Sequence, residues 1–135
     1  MAGNIRPSGD GYLVGTFTVA DAAVSRGQFV SFYTPDNTVR ACNASSAPFG
    51  VALTDGDVGD RIEIVRGYCL ALAGAEVTAG VSECSVDSTG RLVAAGDYTS
   101  AQAYVAANPI ATAAAAGDLF PVFFNAYLSR ANHSS

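Results

Sequence analysis

A chain of 135 residues that is 50% hydrophobic, 14% charged and formally −5 reads as one folded domain with more apolar surface than a single small core needs. Its seven basic residues are all arginines and lie scattered, so no basic stripe is present to neutralise phosphates, and nucleic-acid binding is disfavoured. No run approaches the ~18 apolar residues of a membrane helix, and Met1 to Arg6 lacks the apolar stretch of a secretory signal, which points to a soluble protein made in a cytoplasm.

Residues Met1 to Gly11 read as an arm, because Pro7, Ser8, Gly9, Asp10 and Gly11 crowd turn formers together without periodicity. Tyr12 to Val19 is rich in β-branched and aromatic residues and predicts a strand. A recurring pattern begins at Val24. Its first unit, about 24–76, opens on Val24 and Gly27 and runs into a strand from Gln28 to Tyr33. Thr34-Pro35-Asp36-Asn37 supplies a tight reversal, and a short strand begins at Val39. After a polar loop, Pro48 to Leu53 leads into the acidic turn Asp55 to Asp60. Arg61 to Val65 alternates, with Ile62 and Ile64 on one face, and the strand is expected to run on toward Tyr68 and Leu72.

The second unit, about 77–128, repeats these signals. Val77 pairs with Val24, Gly80 with Gly27, Gly90 with Asn37, Leu92 with Val39, and Gly117-Asp118 with Gly59-Asp60. Phe120 and Val122 then fall on Ile62 and Ile64. Glycine recurs where the chain must turn sharply into a strand. Each unit alone is a curled sheet with an uncovered face, and two together can close a small barrel or sandwich. The register is interrupted between Gly96 and Pro109, and Asp97 to Ala116 pulls two ways. Thr99 or Ser100 can cap a short helix through Ala107, which Pro109 would end, whereas the repeat favours strand and turn from Ile110 onward. In the last strand, Phe120, Phe123, Phe124, Tyr127 and Leu128 put apolar bulk on both faces, so it is central or meets another chain. Pro121 has no ladder donor, which predicts an edge or a bulge at that point. Residues 129–135 read as a polar, mobile tail. The expected fold is all-β: a small β-barrel or β-tulip-like domain over 12–128, built from a degenerate two-unit repeat with at most one short helix.

Nothing in this pattern points to catalysis, a cofactor or a metal. The sole histidine, His133, lies in the tail, where no third group can orient it for a Ser-His-Asp or Cys-His arrangement. Cys42, Cys69 and Cys84 are odd in number and lack metal-site spacing, so they read as reduced apolar fillers. Asp55, Asp57 and Asp60 resemble the start of a calcium loop, but its twelfth position holds Arg66, and a turn of solvated carboxylates reads better. Gly9, Gly11 and Gly15 miss the spacing of a nucleotide loop. The sequons at Asn43 and Asn132 read as chance. Glu63 and Glu76 are the plausible strand-borne carboxylates, and alternation turns Glu63 outward, away from the apolar pocket a general acid needs.

Three runs carry a resemblance: Val24 to Val30, Pro48 to Leu53, and Gly59 to Gly67, with the second pass at Val77 to Gly80, Arg91 to Ala95 and Gly117-Asp118. In order and spacing they resemble the small capsid decoration, or cement, proteins of tailed bacteriophages, over roughly Tyr12 to Phe124. The sequence departs from that pattern at Pro109 to Thr112 and in its heavier aromatic stretch Phe120 to Tyr127. The resemblance implies a β-barrel or β-tulip domain, usually a homotrimer, on the outer surface of the virion head, with the major capsid protein as partner. It implies no enzyme activity and no nucleic-acid or membrane partner. On this reading Asn4, Ile5, Arg6 and Pro7 of the arm are candidate capsid contacts, and Phe123 and Tyr127 a candidate trimer seam. The competing reading is a glycan- or receptor-binding β module of a phage fibre or other surface structure.

Overall fold

The computed structural model describes residues 12–43, 47–79, 84–94 and 103–129, and among these the chain is all-β with no helix. The sheets divide at Gly67 rather than between the repeat units of about 24–76 and 77–128, so the first unit of the structure is residues 12–66, where β1 (Tyr12–Val19), β2 (Phe29–Tyr33), β3 (Thr38–Ala41), β4 (Gly50–Ala52) and β5 (Arg61–Arg66) close a barrel in the order β1-β3-β2-β4-β5. β1 runs parallel to β3, with Val19 beside Val39, and antiparallel to β5, with Phe17 opposite Ile62. Alternation fills the interior with Val19, Val24, Val30, Val39, Ala52, Ile62 and Ile64, all buried.

The second unit follows the same circuit. Here β6 (Tyr68–Leu72), β7 (Cys84–Val86), β8 (Leu92–Ala94), β9 (Ala103–Pro109) and β10 (Leu119–Ser129) are ordered β6-β10-β9-β7-β8. A parallel bridge from Ala73 to Leu92 brings the end of β6 beside β8, as Val19 is brought beside Val39. The repeat extends to single hydrogen bonds. Val24 and Gly56 exchange N–H···O bonds of 2.9 Å each, and Val77 and Ala113 exchange theirs at 3.0 and 2.8 Å. Gly59 N donates to Val19 O, and Gly117 N to Ala73 O. Asp60 accepts at Oδ2 from Asp57 N at 2.9 Å, and Asp118 Oδ2 from Ala115 N at 3.1 Å. Gly59 and Gly117 hold φ of 95° and 92°, and Asn37 and Gly90 hold 65° and 83°. The paired positions read from the sequence are therefore paired backbone conformations in the described residues. Gly80, the partner assigned to Gly27, lies outside them.

The two units share one wall. Phe29, Cys42, Val51 and Val65 of the first unit belong to the same buried cluster as Ala71, Val77, Val86, Leu92, Ala107, Phe120, Val122 and Phe124 of the second. The Phe29 and Phe124 rings stack with centroids 6.0 Å apart. Backbone bonds sew the seam: Phe29 N donates to Gly90 O at 2.8 Å, Leu72 N to Gly27 O at 2.9 Å, and Phe124 N to Gly67 O at 2.7 Å.

Three local expectations change. The strand predicted to run from Arg61 toward Leu72 is cut at Gly67, whose φ of 85° sends β5 into the barrel and β6 into the second sheet. The helix allowed through Ala107 is instead strand over Ala103–Pro109, because Ala107 pairs with both Phe124 and Cys84 and the ladder overrides alanine's helix preference. Pro121 lies neither on an edge strand nor at the bulge. β10 sits between β6 and β9, and its register shift falls later, between Phe124 and Tyr127. Pro121 pairs with Leu70, and its carbonyl accepts from Ile110 N at 2.9 Å, just past the end of β9. The missing donor thus falls where the β9 ladder has stopped.

Two predictions follow from the seam. A Cβ at Gly27 (φ 91°) would lie 2.6 Å from Leu119 Cδ2 and 2.9 Å from Leu72 N, whereas one at Gly59 (φ 95°) would meet nothing within 4 Å. Both alanine variants bear the left-handed backbone cost of about 1 kcal/mol, but Gly27→Ala adds an overpacking cost of about 1–3 kcal/mol. Urea denaturation should therefore rank Gly27→Ala well below Gly59→Ala in stability, and equal midpoints would contradict the seam.

The second concerns Asp87, which holds the turn that presents Gly90 to Phe29. Its Oδ1 accepts from Thr89 N at 2.8 Å, Thr89 Oγ1 at 2.7 Å and Arg91 N at 3.1 Å. Burial alone would raise this carboxyl, but those bonds and the Arg91 charge outweigh it and leave the pKa below its ordinary value. A depressed folded pKa contributes stability that is present above the unfolded value and lost as pH falls through the folded one. Asp87→Ala should cost about 1 kcal/mol at pH 7, with the gap to the parent chain narrowing below about pH 4. A gap that widens on acidification in matched denaturation curves would reverse this assignment.

Candidate functional site

Among the described residues, three thiols, an acidic turn and two apolar surfaces are the candidates for a site. Burial pushes the Cys42 and Cys69 thiols up to about 12 and the Cys84 thiol to about 11, although a bond with Ser31 and the charge of Arg40 act the other way on Cys42. All three are free and fully enclosed, as fillers of the shared cluster.

The acidic turn lines a shallow open groove of about 280 Å³ with Ala23, Val24 and Ser25. Two of its carboxylates accept from backbone amides, one within the turn and one across it. Asp55 Oδ1 accepts from Arg26 N at 2.6 Å, and Asp60 Oδ2 from Asp57 N. In the second unit Thr112 Oγ1 accepts from Ala79 N at 3.0 Å, so a hydroxyl does the work that Asp55 does in the first. Asp60 thus closes the turn and Asp55 ties it to Arg26, and no cluster suited to a metal ion occurs among the described residues.

Two apolar surfaces are more informative. At one end of the closed barrel Phe17, Phe32 and Phe49 pack edge to face and tilted, with centroids 5.9, 5.2 and 4.1 Å apart. Phe17 and Phe49 lie against the barrel interior, but Phe32 is 58% exposed. Tyr33 beside it is also exposed, with the Arg40 guanidinium 4.3 Å above its ring. Register places Ala71 where Phe17 stands, each opposite the matching residue of the last strand, Phe120 or Ile62. It places Val86 where Phe32 stands, opposite Leu92 or Val39. The second unit therefore has small or aliphatic residues at this end, buried under the wall of the first.

The other surface is the outward side of β6 and β10. Tyr68 lies opposite Phe123, Leu70 opposite Pro121 and Leu72 opposite Leu119. Tyr68 is 42% and Phe123 37% exposed, with ring centroids 4.8 Å apart, and Leu119 and nearby Ile110 are exposed too. Their inward neighbours Phe120, Val122 and Phe124 are buried.

Of the candidate residues read from the sequence, Phe123 lies on this outward surface. Tyr127 pairs with Val105, beyond the register shift. Asn4, Ile5, Arg6 and Pro7 lie outside the described residues, as does the tail from Arg130. Sequence reasoning passed over Tyr68, hidden inside an assumed continuous strand, and over the Phe17–Phe32–Phe49 group. The repeat spacing sets Phe32 on Ser85 and Phe17 precedes the first pass, so only the strand register reveals that alanine and valine replace phenylalanine at two of the three positions.

No protein-family model matches this sequence, and no curated protein resembles it closely enough to count as a relative. Among solved structures, the chain resembles the N base of head fiber gp8.5 of bacteriophage phi29, with a TM-score of 0.65 at 18% identity, over 84% of this chain and 95% of that one. At that identity the likeness is one of fold.

Proposed function

We propose that the chain is a phage virion protein that binds the outside of an expanded head, as a homotrimer, and braces the shell against internal DNA pressure. The observation that carries this reading is the shared double-sheet architecture with a phage head-fibre base, which extends over nearly all of that structure. The order and spacing of its turn glycines and Gly-Asp strand starts point the same way, toward decoration proteins. Apolar outward surfaces, beside an acidic turn in which Asp55 and Asp60 accept from backbone amides, suit adhesion better than chemistry. Mechanistically the binding is multivalent. A trimer touching several capsid subunits gains avidity beyond a single contact, and preference for the expanded shell stabilises that state by mass action.

A second reading is favoured by the neighbour's own name: a base module of a head fibre, whose exposed rings engage a glycan or receptor. Exposed aromatics in a sugar-binding module line a groove, and a glycan array separates the two readings.

Mixing the purified chain with expanded and unexpanded heads should give co-sedimentation with the expanded form, and binding to neither would remove the shell reading. Deleting residues 1–11 should weaken that binding while leaving the oligomer intact. A truncated chain that runs as a monomer would assign the arm to assembly instead. Replacing Phe123 and Tyr127 together by serine should give monomers, and an unchanged mass in light scattering would count against the seam.

A further inference from the structure

The repeat contains an interface and, by its own geometry, the two halves of a second one. Within the chain, the outward residues Val51 and Val65 of the first unit join the cluster that encloses Ala71, Val86 and Phe124 at one end of the second unit. Register identifies the counterparts of both halves. Phe123 stands where Val65 stands: each pairs with the residue of the preceding strand, Asn108 or Val51, and on its other side with Tyr68 or Leu13. Phe17 and Phe32 stand where Ala71 and Val86 stand. In each half one residue is buried in one unit while its counterpart is exposed in the other, whereas Leu13, which stands where Tyr68 stands, is exposed as Tyr68 is. Val65 is 2% exposed and Phe123 37%, and Val86 is 6% exposed and Phe32 58%.

We propose that the phenylalanine end of the first barrel, at Phe32, receives the Tyr68–Phe123 surface of a second copy of this chain, repeating between chains the contact by which the first unit covers the second within one. The occupant is a second copy because the contact continues an interface the chain already makes, and because the chain carries both surfaces. The two surfaces are different, so the contact is head to tail. Such an interface closes into a ring when the rotation between copies allows it. The inference deepens the trimer part of the reading above by naming what meets Phe123, and it needs no capsid.

Three preparations test it: the parent chain, Phe32→Ser and Phe123→Ser, all full length, with mass read by light scattering and folding by circular dichroism. Both side chains are substantially exposed, so the variants should keep the parent's spectrum. The parent should run as an oligomer, and each variant should self-associate at least about tenfold more weakly, the scale expected for losing one buried phenylalanine. Mixing the variants is decisive. Phe32→Ser retains an intact Phe123 surface and Phe123→Ser an intact barrel end, so a head-to-tail contact restores a complex of one copy of each. A symmetric contact through either surface alone restores none. A monomeric parent, a Phe32→Ser variant that keeps the parent mass, or a mixture that stays monomeric would each overturn the proposal. A monomeric parent that still co-sediments with heads would defeat this contact and leave the shell reading standing. An oligomer that ignores heads would do the reverse.

Discussion

Phe29 occupies a position that both units need. It begins β2 of the closed barrel, donates its N–H to Gly90 and accepts from Cys42 N across its own sheet. Its ring turns away from the barrel interior and stacks on Phe124 of the second unit. Burying such a ring is worth about 1.5–3 kcal/mol, and the aromatic pairing adds about 0.5–1.5 kcal/mol. More important is where that energy lies. The second unit's core is completed by residues of the first, so the halves cannot separate without opening that core. Gly27 and Gly90 make this approach possible. Each turns with positive φ against the other unit; a Cβ at Gly27 would collide with Leu119 and Leu72, and one at Gly90 would press tightly on Phe29 O and Ala41.

That constraint explains which parts of the fold were legible in the sequence. Turn chemistry is local, so Gly59-Asp60 and Gly117-Asp118 announced themselves, and the predicted pairing of Asn37 with Gly90 held down to their φ values. The alternation of Ile62 with Ile64, and of Phe120 with Val122, is equally local and gave the two interiors. Gly67 was not legible. A glycine inside a β-rich run reads as a weak point, and only the docking of Phe124 N on Gly67 O shows it to be the hinge between two sheets. Ala103–Pro109 failed for the same reason: its strand state comes from partners distant in sequence, above all Phe124 and Cys84. The candidate surfaces were half legible. Phe123 was singled out for its bulk, but Tyr68 became its neighbour only once β6 and β10 were paired.

One backbone circuit appears twice with different side chains, and those differences carry the information about interaction. A fold of this kind does not specify a function, which resides in the surfaces placed on it. In the first unit Phe17, Phe32 and Phe49 fill the end of the barrel with the chain's own rings. In the second unit the corresponding end needs no such filling, because Val51, Val65 and Phe29 cover it, and Ala71 and Val86 leave room for them. Filling alone does not account for Phe32. A residue present only to close a core gains by being covered, and this ring stays mostly in water while Phe17 and Phe49 suffice to touch the interior.

A bracing role, as proposed, demands stiffness, and the connectivity supplies it. Each strand of the first unit has a neighbour on both sides, so a lateral pull must break ladder bonds rather than peel an edge. In the second unit β6 would be an exposed edge, but Ala73 bridges to Leu92, Gly74 N donates to Leu92 O, and Leu72 N is tied to Gly27 O. The seam thus protects the strand that carries Tyr68. A ring on a frayed edge strand would have to be ordered at each binding event, at a cost of about 1–2 kcal/mol per residue fixed. Tied to the first unit through Gly27, Tyr68 is already in place beside Phe123. The internal repeat that joins the two units therefore also preorganises the surface proposed to meet a second copy.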